Sequence, residues 1–124
     1  MPTFPEPIID AESRPFYEAA AEGRFLIKRC ITCNEPHWHP RQLCPFCFGP
    51  TEWEEASGRG SIYSYTVSGK GADSAVLAYV TLAEGPTMLT GLVDVDPADL
   101  AIGQPVALSW QEAGSARVPC FAPA

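Results

Sequence analysis

Two Cys-x-x-Cys pairs contain the side chains of this sequence that are best suited to chemistry. Cys30 and Cys33 form the first pair, Cys44 and Cys47 form the second, and ten residues separate the two. This spacing is typical of a tetrahedral zinc site in which each pair binds the ion from one tight turn, or knuckle. Four thiolates complete the coordination, so we expect a structural metal with no position left for a water molecule or a substrate.

The residues around the pairs suit such turns, and the remaining cysteine lies elsewhere. Asn34 tolerates the left-handed backbone that follows the first pair, and we expect Gly49 to give similar freedom after the second. Iron is the main alternative metal, because the same thiolates bind it, and disulfide pairing is the alternative to any metal. Cys120 lies in an apolar stretch, where we expect a small buried side chain with an unreactive thiol.

Composition and charge limit the class of protein. The 124 residues are 46% hydrophobic with a formal net charge of −7, and 13 prolines and 10 glycines favour short strands and turns over long helices. A chain this acidic repels nucleic acid and anionic membrane surfaces. No signal peptide is recognisable and no run approaches the ~18 apolar residues of a membrane span, so we expect a reduced, cytoplasmic protein.

Two histidines lie inside the metal loop. Because four thiolates fill the coordination shell, we expect His37 and His39 at the surface or hydrogen-bonded to a cysteine sulfur, rather than bound to the metal. No nucleophile paired with a base can be recognised beside them. We therefore assign no catalytic residue to this chain.

A short helix should precede the metal loop. Ser13 as the N-cap, Pro15 in the first turn and Gly23 as the stop predict a helix of about two turns. A strand over residues 24–29 should then lead into the first knuckle, and Trp53 lies in a short segment after the second.

A glycine-rich joint at residues 57–60 precedes a series of strands. Residues 61–67 alternate in a way that places Ile62 and Ser64 on one face, with Tyr63 and Tyr65 on the other. Apolar runs bounded by turn residues predict further strands at 75–83, 87–93 and 105–111, and a last edge strand at 118–121. About five strands in so short a segment predict a small barrel.

In their order, these parts resemble the DUF35 family, whose members join a rubredoxin-like zinc ribbon to an OB-fold. The resemblance covers about residues 13–121 and rests on residues 14–17, 22–24, 29–33, 40–47, 58–66 and 102–106. It implies a mainly β protein with a short N-terminal helix, a rubredoxin-like zinc ribbon and a small five-stranded OB-fold barrel. We divide the chain accordingly into an arm and helix (1–25), a zinc ribbon (26–56) and an OB-fold (57–124). Phe48 departs from the family, which usually has glycine after the second pair.

Members of this family act beside thiolase-superfamily enzymes in lipid metabolism. The resemblance implies a non-catalytic accessory subunit of a thiolase-like acyl-CoA enzyme, serving acyl transfer or condensation, or retro-aldol or thiolytic C–C cleavage. It also implies structural Zn²⁺, a coenzyme A thioester as ligand, and a hetero-oligomer with a thiolase-superfamily protein. The alternatives are a stand-alone acyl-CoA-binding module and a nucleic-acid-binding OB protein, which three cations against six acids over residues 57–124 disfavour.

Four cations lie close to the predicted ribbon. Arg24, Lys28, Arg29 and Arg41 are half of the 8 cations in the chain. They either offset the negative charge of a zinc tetrathiolate or bind the phosphates of coenzyme A, which suit a guanidinium group. Arg41, which the family pattern also carries, is the candidate for the phosphate contact.

Aromatic residues are numerous for so small a helix and ribbon. Some must pack in a core, and the others should form an exposed apolar surface for a partner protein. Our candidates for that partner surface are Phe16, Tyr17, Trp38 and Phe48.

Overall fold

One short α-helix, one 3₁₀ turn (Pro97–Asp99) and eight strands form the fold in the computed structural model, which describes residues 6–69 and 74–124. The helix and strands are α1 (Arg14–Ala21), β1 (Leu26–Cys30), β2 (Pro36–His37), β3 (Thr51–Glu55), β4 (Arg59–Ser68), β5 (Ala75–Leu82), β6 (Thr87–Leu92), β7 (Pro105–Ala113) and β8 (Ala116–Pro123). The predicted fold class is confirmed: the protein is mainly β, with a short helix, a four-cysteine cluster and a closed five-stranded barrel. Residues 1–5 of the predicted arm lie outside the described residues. Among the described residues, no helix is long and apolar enough to cross a membrane.

Helix α1 begins near Ser13 as predicted, but its start is organised differently. The Ser13 hydroxyl caps no helix amide. Instead, the Asp10 N–H donates to Ser13 Oγ (3.1 Å) and the Ser13 N–H donates to the Asp10 carboxylate (2.8 Å), while the Arg14 N–H donates to the Asp10 carbonyl. At the other end, Gly23 adopts the left-handed conformation (φ 79°) that ends the helix, as predicted.

The ribbon is a three-stranded antiparallel sheet in the order β2-β1-β3. Strand β1 delivers the chain to the first knuckle, since Cys30 is its last residue. Arg29 on β1 pairs with the Glu54 carboxylate on β3 through two hydrogen bonds, and it also donates to the Asn34 carbonyl at 2.8 Å. This one side chain therefore ties the first knuckle to the strand that follows the second.

The five strands after the ribbon close on themselves in the order β4-β5-β6-β8-β7, with β7 paired back to β4. Strands β6 and β8 meet in parallel at Leu92 and Phe121, and the other neighbours are antiparallel. The predicted edge strand at 118–121 is therefore wrong in its role, because it belongs to a longer strand that pairs on both sides and closes the barrel.

A β-bulge in β4 overturns the alternation predicted for residues 61–67. The register against β5 shifts between Ile62 and Ser64, which leaves Tyr63 as the extra residue. Ile62 and Tyr65 consequently both contact the interior, although they are three positions apart, whereas Tyr63 is exposed. The alternation was readable in the sequence, but the extra residue was not.

One hydrophobic core joins the helix, the ribbon and the barrel. Phe16 on α1 lies 5.2 Å from Trp38, ring centroid to ring centroid, and Phe25 before β1 lies 6.4 Å from Phe121 in the barrel. Phe16 is 3% exposed, so its prediction as part of an exposed partner surface is wrong. A helix of eight residues cannot persist alone, and this one docks through its buried residues Phe16, Ala19 and Ala20, of which Phe16 is the largest. Tyr17 and Trp38 are half-buried against the same core.

Candidate functional site

The two knuckles bring four cysteine sulfurs together. The Sγ atoms of Cys30, Cys33, Cys44 and Cys47 all lie within 4.8 Å of one another. The Cys30–Cys47 and Cys33–Cys44 separations are 3.5 and 3.6 Å. A tetrahedral site with Zn–S bonds of about 2.3 Å has sulfur–sulfur edges of about 3.8 Å, so the sulfurs stand close to the geometry that such an ion needs. Among the described residues, this is the group of ligating side chains placed to hold a metal.

Backbone amides of both knuckles point at the sulfurs. The N–H groups of Thr32 and Cys33 donate to Cys30 Sγ at 3.3 Å, and the Phe46 N–H donates to Cys44 Sγ at the same distance. The hydrogen bond from the Cys33 backbone is the main reason that the pKa of the Cys30 thiol falls to about 6. A thiolate is the form that binds metal, so these amides favour the metal-binding form of Cys30. The pKa values of Cys33 and Cys47 are raised instead, because a backbone hydrogen bond that lowers each is outweighed by desolvation and by contacts with the neighbouring sulfurs, which oppose further thiolates beside the first.

The two knuckles repeat one backbone arrangement. The Cys30 N–H donates to the Glu35 carbonyl (3.0 Å), and the Cys44 N–H donates to the Gly49 carbonyl (2.8 Å), each five residues further on. In both pairs the first cysteine is buried and the second is exposed. The sequence spacing alone predicted two equivalent turns, and the hydrogen bonds bear out that equivalence.

The left-handed residue of the second knuckle is Phe48, not Gly49 as expected. Asn34 has φ 64° as predicted, and Phe48, at the equivalent place after Cys47, has φ 63°. Gly49 is needed for another reason: a Cβ there would lie 2.7 Å from Thr32 Oγ1 and 3.3 Å from Cys30 Sγ. It therefore allows the second knuckle to approach the first. Sequence reasoning could have found Phe48 by superposing the two pairs.

Neither histidine joins the sulfur cluster. His37 is buried on β2 beside Lys28, with which it pairs across the sheet, and burial lowers its pKa, so the neutral form is favoured. His39 is exposed and lines a groove beside the helix. We expected each histidine either at the surface or hydrogen-bonded to a cysteine sulfur. His39 is at the surface, whereas His37 is not.

The four cations near the ribbon have different surroundings. Arg41 is exposed, and among the described residues no carboxylate lies within ion-pair distance of it. The other three are each beside a partner: Arg24 lies 3.7 Å from Glu22, Lys28 Nζ lies 4.4 Å from the centre of the Trp53 ring, and Arg29 pairs with Glu54. Arg41 is thus the cation of this group that is open to an anion from outside.

An exposed apolar tip surrounds the second knuckle. Phe48 is 75% exposed, Phe46 is 67% exposed and Leu43 is 56% exposed. Leu43 and Phe48 also line a cavity of about 430 Å³ together with Arg41. The structure therefore places Phe48, of the four predicted partner residues, fully at the surface and next to Arg41.

Two family models match consecutive parts of the chain. The ChsH2 rubredoxin-like zinc ribbon domain matches residues 18–54, and the ChsH2 C-terminal OB-fold domain matches residues 53–111. All four knuckle cysteines lie inside the first match.

Among the relatives that match this chain, three differ in the share of their own length that the chain covers. A probable enoyl-CoA hydratase alpha subunit from Thermomonospora curvata is 38% identical over 97% of this chain, but the chain spans 40% of that relative. A DUF35 domain-containing scaffold protein from Methanocaldococcus jannaschii is 35% identical over 63% of this chain and 61% of its own length. Another, from Methanothermobacter thermautotrophicus, is 32% identical over 68% of this chain and 69% of its own length.

Solved structures share the whole architecture. A chain of the structure described as an Ltp2-ChsH2(DUF35) aldolase superposes with a TM-score of 0.82 at 34% identity, covering 95% of this chain and 98% of that one. A DUF35 protein of unknown function from Sulfolobus solfataricus superposes with a TM-score of 0.69 at 14% identity, covering 92% and 86%. The second likeness is one of fold alone.

Proposed function

The chain belongs to the DUF35 family, with a ChsH2-type zinc ribbon and OB-fold, and from this membership we propose that it is a non-catalytic accessory subunit of a thiolase-superfamily enzyme acting on acyl-CoA. The observation that carries the proposal is its 34% identity to a chain, covered to 98%, of a structure described as an Ltp2-ChsH2(DUF35) aldolase. A relative described as an alpha subunit and others described as scaffold proteins agree with a role in assembly. Retro-aldol cleavage or the reverse condensation is the reaction class that we favour for the complex.

We propose Zn²⁺ as the resident metal and a structural role for it. The four thiols suit a soft tetrahedral ion, and their separations agree with Zn–S geometry. When bound, the ion would hold the two knuckles together, and with four sulfur ligands it would offer no position for a substrate. Thiolates that must stay reduced suit the cytoplasm, which is the location we propose.

Phe48 supports the apolar tip of the second knuckle as a partner contact. A left-handed backbone costs a non-glycine residue roughly 1–2 kcal/mol, and glycine would avoid this cost. Phe48 has this strained backbone although its side chain is 75% exposed. Burial of the ring within the single chain therefore does not offset the strain. Strain held at an exposed aromatic side chain is typical of a residue kept for binding. Tyr17 and Trp38 are half-buried, so the exposed parts of their side chains remain available to a partner. Phe16 is buried and is no longer a candidate for this contact.

Arg41 is our candidate for the contact with a coenzyme A phosphate. It is exposed without a carboxylate partner among the described residues, and the apolar tip lies beside it. A guanidinium group can donate two parallel hydrogen bonds to a phosphate group. A ligand held at Arg41 would therefore lie at the edge of the partner surface, where both chains can contact it.

The proposal is tested by purifying the tagged chain from its own host at native expression. A thiolase-superfamily protein should co-purify in fixed stoichiometry, and the complex, but not the chain alone, should turn over an acyl-CoA. The Phe48→Gly variant should leave the free energy of unfolding unchanged or raise it by about 1 kcal/mol, while weakening the complex at least tenfold. Ile102→Ala, a change at another side chain that is 65% exposed, is the matched control and should leave the complex intact.

Two outcomes favour other functions. If the chain elutes without a partner yet binds acyl-CoA, the stand-alone binding module is the better account. Salt-sensitive, sub-micromolar binding to a single-stranded oligonucleotide would favour the nucleic-acid-binding alternative, which a net charge of −7 opposes.

A further inference from the structure

An apolar groove of about 400 Å³ lies where the helix and the metal loop meet the barrel. Its walls come from α1, from the loop residues 38–40 and from strands β5, β6 and β8. The floor is made of buried side chains, among them Met88 and Cys120, and the barrel-side rim carries Leu77 and Leu89, which are 52% and 53% exposed. Its volume falls in the range of about 300–1,000 Å³ found for small-molecule sites.

The groove lining is mostly apolar, and the side chains in it with hydrogen-bonding groups are few: Ser13, Tyr17, Trp38, His39 and Thr90. The Thr90 hydroxyl at its floor already donates to the Pro119 carbonyl at 2.8 Å. The Ser13 hydroxyl at its end already accepts from the Asp10 N–H. A peptide segment would bring amide groups that need partners, and burying them unpaired is costly. A hydrocarbon chain brings none, so it is the occupant that matches this lining.

One end of the groove lies close to Arg41 along the chain. Ser13 and Pro40 line the groove, and the residues next to them in sequence, Glu12 and Arg41, line a second cavity of about 430 Å³. Glu12 is the acid there, yet the structure gives no ion pair between it and Arg41. An apolar groove with such a cation near one end is complementary to an amphiphile with an anionic head.

We propose that this groove binds the acyl chain of a medium- or long-chain acyl thioester, with its anionic carrier extending toward Arg41. This inference rests on the proposed function and deepens it, since it specifies acyl chains of about eight carbons or more rather than acetyl groups. Leu77 and Leu89 form the apolar rim that contacts the acyl chain. Arg41 determines at which end of the groove the anionic carrier lies. A segment of a partner protein is the competing occupant.

The test is a chain-length series on the metal-loaded full chain, with butanoyl-CoA, octanoyl-CoA and dodecanoyl-CoA titrated calorimetrically below their micelle concentrations. Each buried methylene should lower Kd about two- to fourfold, because the groove is open on one side and burial is partial. Dodecanoyl-CoA should therefore bind at least a hundredfold more tightly than butanoyl-CoA. A Kd that is independent of chain length would overturn the proposal and favour the partner segment as the occupant.

Two variants locate the site. The rim variant, Leu77→Gln combined with Leu89→Gln, should weaken the binding of dodecanoyl-CoA at least tenfold with little change in the binding of butanoyl-CoA. The control variant, Val67→Gln combined with Ile102→Gln, changes exposed positions that do not line the groove and should alter the binding of neither thioester. Arg41→Met should weaken all three thioesters by one common factor and preserve the chain-length slope. Equal losses in the rim variant and its control would contradict the assignment.

Failure here is distinct from failure of the proposed function. If the chain forms a complex with a thiolase-superfamily protein but its Kd for acyl-CoA does not depend on chain length, the groove is not an acyl site. The proposed role as an accessory subunit would still hold. A steep chain-length series without any partner would support the groove and favour the stand-alone module.

Discussion

Cys120 shows at the residue scale how surroundings suppress reactivity. It is 2% exposed on β8, and this burial raises the pKa of its thiol to about 11, against a smaller lowering by a backbone hydrogen bond with Gly91. We predict that a maleimide near neutral pH leaves Cys120 unlabelled in the native, metal-loaded chain and labels it in denaturant. Peptide mass analysis identifies the site, and rapid native labelling at Cys120 would contradict the burial seen here.

The same thiol should make stability depend on alkaline pH. Its ordinary pKa is 9.0 and its folded value is about 11, so the unfolded chain binds fewer protons between these values. Stability from this group is therefore complete below pH 9 and is lost as pH rises toward 11, by up to about 1.4 kcal/mol per pH unit. Denaturant unfolding across this range should show a steeper decline for the native sequence than for Cys120→Ala, and parallel curves would refute the linkage.

Gly49 illustrates a residue chosen for space rather than for backbone freedom. We predict that Gly49→Ala lowers the free energy of unfolding by about 1–3 kcal/mol, because the new methyl group meets Thr32 Oγ1 and crowds Cys30 Sγ. Thr32→Ala removes the hydroxyl and should recover part of this loss in the double variant. Denaturant titration of the four proteins gives the coupling energy, and strictly additive losses would show that Thr32 is not the obstacle.

At the element scale, the docking of helix α1 depends mainly on Phe16, the largest of its three buried side chains. Phe16 contacts the ribbon through Trp38 and the barrel through Trp110, with ring centroids 5.2 and 6.2 Å away. We predict that Phe16→Ala destabilises the chain by about 3–5 kcal/mol, whereas Glu18→Ala on the exposed face of the same helix changes stability by less than about 0.5 kcal/mol. Chemical denaturation measures both. A small loss at Phe16 would mean that the helix is dispensable to the core.

The metal should control the stability of the whole molecule, because Leu26 and Ile27 of the ribbon belong to the same core as the barrel. We predict one zinc per chain, and a loss of cooperative unfolding after Cys44→Ser or chelation. Cys120→Ala is the matched control, since it also removes a thiol but lies outside the knuckles, and it should retain full zinc. Elemental analysis and the near-ultraviolet circular dichroism of the tryptophans report the two effects. A Cys44→Ser chain that still unfolds cooperatively after chelation would exclude a structural metal.

Several features could be predicted from the sequence because they depend on neighbours along the chain. The spacing of Cys30, Cys33, Cys44 and Cys47 implies two equivalent turns whose four sulfurs can converge, and the structure brings those sulfurs together. Gly23 and Asn34 have the positive φ that local sterics reserve for such residues. Apolar runs bounded by turn residues likewise indicated the strands, so the mainly β class followed from local patterns.

Only the tertiary structure decided features that depend on segments far apart in the chain. Whether Phe16 lies at the surface or inside depends on where Trp38 and the barrel stand, and the bulge at Tyr63 depends on the register that β5 imposes. The apolar groove exists only because residues 38–40 come to lie against β5, β6 and β8. Local sequence limits the conformation of each segment, but burial and cavity shape arise from packing between segments, and that packing is what places a half-open apolar groove near Arg41.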